Sequence, residues 1–151
     1  MIKKTYQVTI DAPVDHVFKT MLDKQTYKQW TALFNPSSDF EGSWEKGEKI
    51  YFIGINEQGE KEGMVAEIAE HIPNKYISIR HKGILDQGKE VLEGPAVEGW
   101  AGALENYTFE EISGGTTVTV DVDTNEEYID YFDDAWPKAL QKLKELCETR
   151  S

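Results

Sequence analysis

The segment TNEEYIDYFDDAWPKALQKLKELCE, from Thr124 to Glu148, sets the architecture of the chain. Tyr128, Phe132, Ala135, Trp136, Ala139, Leu140, Leu143, Leu146 and Cys147 recur at a spacing of three and four residues. That spacing predicts a long amphipathic helix with one broad apolar stripe. Thr124 and Glu127 stand at the separation of a capping box, which would begin the helix there. Acidic side chains (Glu126, Glu127, Asp130, Asp133, Asp134) crowd its start, and Lys138, Lys142 and Lys144 occupy its later half. Both placements suit the helix dipole. Pro137 sits inside the pattern, where it removes a hydrogen bond to the carbonyl of Asp133 and should bend the helix.

Upstream, the chain is mostly strands. At the N-terminus Ile2, Lys4, Tyr6, Val8 and Ile10 alternate with Lys3, Thr5, Gln7 and Thr9. Period two with β-branched residues predicts a strand. Asp11 can cap a helix beginning just after it, and Pro13 suits a first helical turn. Val14, Val17, Phe18, Met21 and Leu22 then give a short helix to about Asp23, and a second starts near Thr26 with Tyr27, Trp30 and Leu33. Strands are expected at 38–44, 49–55, 62–72, 76–82, 104–112 and 116–123. Turns fall at Lys46-Gly47, Asn56 to Gly59, Pro73-Asn74 and Gly114-Gly115. Residues 83–102 hold five glycines, Pro95 and Trp100 and read as a loop with a short helix.

A sheet with one apolar face needs a cover, and only the last helix is long and apolar enough to supply it. The expected fold is therefore α+β, a single domain over residues 1–151. A curved antiparallel sheet of six or seven strands wraps around the C-terminal helix in a helix-grip, with two short helices after the first strand closing one end. An internal cavity beside the helix is expected.

Three stretches bear a resemblance to the START-like (SRPBCC, Bet v 1-like) superfamily. VTIDAPVDHVFKTMLDKQTYKQW, 8–30, resembles the family's strand, Ala-Pro and helix with a closing Trp. YTFEEISGGTTVTVDV, 107–122, is similar to its late hairpin, and FDDAWPKALQKLKELCE, 132–148, to its final helix. The closest branch is the group named for homologues of an activator of a heat-shock chaperone ATPase. The resemblance implies the helix-grip fold and a cavity of the kind that holds sterols, lipids, polyketides or hormones. It does not transmit chemistry.

Composition narrows the function. Sixteen basic against 28 acidic residues give a net charge of −12. Such a surface repels phosphate backbones and anionic lipid heads, so neither nucleic acid nor a membrane is an expected partner. One cysteine, Cys147, precludes an intrachain disulfide. With no apolar run suggesting a signal peptide or a membrane span, the expected address is the cytoplasm.

His16, His71 and His81 are far apart and lack paired spacing, so no metal site is expected. Asp121, Asp123 and Asn125 mimic the start of a calcium loop. Glu126 then stands where that loop needs glycine, and Phe132 where it needs a glutamate. No phosphate-binding glycine motif occurs, and no cofactor is expected. Cys147 lies on the apolar stripe and reads as a core residue.

Inward polar residues are the candidates for chemistry. His81 shares a strand face with Ile77 and Ile79, and Glu105 with Tyr107 and Phe109. Together they can form an acid–base pair. Trp30, Phe34, Trp44, Tyr51, Trp100, Tyr107, Tyr128, Phe132 and Trp136 are the aromatic candidates for the cavity wall. These features fit a small apolar or amphipathic ligand. The alternatives are a chaperone-linked interaction module or homodimer, and a cyclase, dehydratase or hydrolase using His81 and Glu105.

Overall fold

The structure, a computed structural model, describes residues 2–95, 97–99 and 101–149. The chain opens with strand β1 (Ile2–Ile10), followed by helices α1 (Val14–Leu22) and α2 (Lys24–Trp30) and a 3-10 turn (Thr31–Leu33). Strands β2 (Asp39–Gly42), β3 (Lys49–Ile55), β4 (Lys61–Ile72), β5 (Tyr76–Asp86), β6 (Lys89–Val91), β7 (Leu104–Ile112) and β8 (Gly115–Thr124) follow. A second 3-10 turn (Glu126–Tyr128) leads into helix α3 (Ile129–Glu148).

All pairings are antiparallel, in the order β1-β8-β7-β5-β4-β3-β2, with β6 beside the end of β5. The alternation of β1 and β8 sends Val8, Ile10, Val118, Val120 and Val122 inward, where they join the core. Outward, Thr5 donates to Asp121 at 2.6 Å and Gln7 to Thr119 at 3.0 Å. One face is dry and the other wet, as the alternating pattern requires. On α3, Ala135, Trp136, Ala139, Leu140, Leu143 and Cys147 are buried. This stripe fills the concave side of the sheet, and the fold is the α+β helix-grip expected from the sequence.

The short helices close one end. Asp23 ends α1 and caps α2, accepting a hydrogen bond from the Gln25 amide at 3.0 Å. The indole nitrogens of Trp30 and Trp44 donate to the carbonyls of Met21 and Leu22. Each Trp therefore packs on the core with its one donor satisfied.

Three local readings change. Asp11 does not cap α1, whose N-cap is Pro13 with no side-chain bond. Asp11 instead uses its amide to bind Glu148 at the end of α3. The capping box does not form either: Thr124 stays in β8, and the 3-10 turn intervenes before α3. Finally, part of the expected loop after residue 82 is a hairpin. β5 runs on to Asp86, and Gln87 and Gly88, at φ 52° and 82°, make a two-residue turn into β6. Positive φ at both central positions matches the twist of a tight hairpin. That hairpin lies close over the outer face: a Cβ on Gly83 would stand 2.2 Å from the Val91 carbonyl oxygen.

Candidate functional site

The concave face carries a polar centre in an aromatic setting. Ile77, Ile79 and His81 of β5 face inward beside Glu105, Tyr107 and Phe109 of β7. His81 Nε2 lies 3.2 Å from one oxygen of the Glu105 carboxylate. The Tyr107 phenol donates to the other. The two side chains of the His81–Glu105 pair are only 7% and 18% exposed, so both have left bulk water. The two side chains that strand phase sets on one face are therefore in direct contact.

Burial, reinforced by the negative charge of Glu105, holds the Tyr107 phenol well above the usual tyrosine range. The same two causes, in the same order, raise Tyr27. Both phenols thus keep their protons, and that of Tyr107 is donated to Glu105. Glu105 is an acceptor fixed by the Tyr107 hydroxyl and the His81 ring.

Around this centre the space between α3 and the sheet is occupied by rings. Trp30 lies 6.4 Å from Tyr107 and 6.0 Å from Trp136, centre to centre. Trp136 also stands 5.0 Å from Phe34, and Phe52 stands 6.1 Å from His81. Edge and tilted contacts of this kind are favourable beyond simple burial. Two open clefts lie elsewhere. One, of about 420 Å³, is on the outer face between Tyr51, Lys61, Leu85 and Glu90. The other, of about 320 Å³, joins Ala12 and Pro13 to the β7–β8 turn. Neither is lined by α3.

Of the residues expected to line the concave space, Trp30, Tyr107 and Trp136 are buried in it, with Phe34, Trp44 and Phe132 packed against its edge. Tyr51 is not there. Ile50 and Phe52 point into the core on either side of it, so alternation turns Tyr51 to the outer face, where it bonds Glu90. Tyr128 is 50% exposed in the 3-10 turn, off the buried stripe. Trp100 lies outside the described residues. Sequence reasoning missed Tyr27, which packs 5.5 Å from Trp30 and 6.2 Å from Phe52. Its phase with Trp30 on the same short helix was the available signal.

Among the described residues no three His, Cys, Asp or Glu side chains gather as a metal ion would need. No described helix is long and apolar enough to cross a membrane.

Known structures agree on the fold. The chain is similar to the solution structure of the Aha1 dimer from Colwellia psychrerythraea, at 19% identity and a TM-score of 0.72, covering 98% of this chain and 97% of that one. Protein NE0264 from Nitrosomonas europaea is similar at 18% identity and 0.71, covering 96% and 93%. DynU16, from the dynemicin biosynthetic locus, gives 17% and 0.68 over 97% of this chain, which spans 47% of that protein. No curated protein matches. Residues 11–148 match the sequence profile described as activator of Hsp90 ATPase homolog 1-like protein, and the chain belongs to that family.

Proposed function

We propose that this domain binds a small amphipathic molecule on the concave face of its sheet. The polar group of the ligand meets Glu105, His81 and Tyr107, and its apolar body lies against Trp30, Phe34, Phe132 and Trp136. One observation carries the reading: a carboxylate is withdrawn into an aromatic interior. Burying Glu105 costs free energy that an apolar residue at that position would not. A role in recognition accounts for its presence there. The route in runs through the corner where Phe34 meets Tyr131, whose rings are 6.2 Å apart and whose outer member is 47% exposed. Displacing these rings opens space beside α3.

The test is native mass spectrometry of the protein purified from its own host, with an apolar dye titrated against tryptophan fluorescence. A retained small molecule, or saturable quenching lost in Trp136→Ala, supports the proposal. A protein that carries nothing and leaves its tryptophan emission unchanged with every dye overturns it.

A second reading, a protein-interaction module, draws on the exposed Leu33, Tyr128 and Tyr131, because apolar surface marks contact sites. Cross-linking that captures one partner, lost in Tyr131→Ser, would support it.

A further inference from the structure

We infer that the polar group of the ligand is a protonated amine, so that the domain selects hydrophobic cations over neutral or anionic molecules of the same shape; this rests on the binding reading above. Three observations converge. At the inner end, the ion-pair partner of Glu105 among the described residues is His81, and no described lysine or arginine lies within ion-pair distance of it. A buried carboxylate is most favourable beside a fixed cation that also donates hydrogen bonds, and an ammonium supplies both.

Along the way in, the faces are aromatic. Tyr131, Phe34, Trp136 and Tyr107 come one after another at centre distances of 6.2, 5.0 and 6.4 Å, and Tyr107 ends on Glu105. Ring faces attract cations and offer nothing comparable to a carboxylate or phosphate. At the outer end, Glu126, Glu127 and Asp130 stand exposed beside Tyr128 and Tyr131, and none makes an ion pair among the described residues. Asp133 and Asp134, by contrast, are matched by Lys4 and Lys138. Unmatched carboxylates at the entrance raise the local concentration of cations and lower that of anions.

The experiment compares octylamine, octanol and octanoate by calorimetry and tryptophan fluorescence at neutral pH. The three share a chain and differ in head-group charge. Octylamine should bind about tenfold more tightly than octanol, because a charge-assisted hydrogen bond is roughly twice as strong as a neutral one. Octanoate should be the weakest. In Glu105→Gln the ratio of the amine constant to the alcohol constant should fall to about one. If that variant does not fold, the ranking of the three probes on the unmodified protein decides alone. Equal binding of amine and alcohol, or tightest binding of octanoate, overturns the cation preference and leaves the binding site standing. Binding of none of the three overturns both.

Discussion

His81 Nε2 lies 3.2 Å from a carboxylate oxygen of Glu105, yet it is Ile79 that the strand ladder sets opposite Glu105. The contact is diagonal. The His81 amide bonds the Ala103 carbonyl, and the Gly102 amide bonds the carbonyl of His81. His81 therefore reaches one pair along the sheet to meet its partner. Diagonal neighbours are within reach of long side chains on one face.

That geometry predicts coupling. His81→Ala strips a partner from a carboxylate in the interior and should destabilise the fold by about 2 kcal/mol. Glu105→Gln should cost about 1 kcal/mol, because the amide oxygen still accepts from Tyr107. The double variant should cost less than the sum, with a coupling of about 1 kcal/mol. Urea unfolding of the four proteins checks this, and strict additivity would contradict the pairing.

Asp133 predicts an acid limb. The Tyr6 phenol donates to it at 2.7 Å and Lys4 stands at 3.3 Å. The phenol bond, opposed by desolvation and aided by Lys4, lowers the pKa of the Asp133 carboxyl below its ordinary value of 3.8. A lowered folded-state pKa means that the contribution is present above the unfolded value and is lost as pH falls through the folded one. Asp133→Asn should therefore destabilise the protein at neutral pH and make no difference in strong acid. Unfolding curves at the two pH values test the sign, and a deficit that persists in acid counts against it.

Gly83 predicts a local opening. An added Cβ would meet the Val91 carbonyl oxygen at 2.2 Å and a Leu92 methyl at 2.9 Å. Gly83→Ala should lift the β5–β6 hairpin from the outer face and break the contacts of Glu90 with Tyr51 and Lys49. The cost should be about 2 kcal/mol, in the range for overpacking. Hydrogen exchange should quicken at residues 84–91 and stay slow in β7 and β8. Unchanged protection of the hairpin would refute the close approach.

Pro137 predicts a gain. It stands within α3, which runs unbroken from Ile129 to Glu148. Pro137→Ala restores the amide that can bond the Asp133 carbonyl. It should stabilise the fold by about 1 kcal/mol, a fraction of the full penalty for an interior proline. Thermal unfolding reads this directly, and a lowered midpoint would contradict the gain.

Strand phase and helical spacing make the framework legible. Lys4, Tyr6 and Val8 share one side of β1 as alternation requires, and the stripe of α3 meets them from above. Phase also places His81 and Glu105 on one face, which is half of a site. The other half is register, and register depends on how the chain crosses from β5 to β7, which no local pattern encodes. Tyr51 stands outside the expected wall because its neighbours Ile50 and Phe52 claim the inner face and alternation turns it outward. Tyr128 falls off the stripe because the 3-10 turn at Glu126–Tyr128 has a different angular step from the α-helix. The hairpin at Gln87-Gly88 is hidden in the sequence because Asn, Asp or Gly usually precedes the glycine of such a turn.

The pairing of the first strand with the last has a consequence for how the protein comes into being. Thr5 meets Asp121, 116 residues further along the chain. During synthesis β1 is made before β8 and waits, unpaired, until β8 has emerged. Joining such distant segments carries a large closure entropy and slows folding. During that interval the waiting segment is a template for wrong partners.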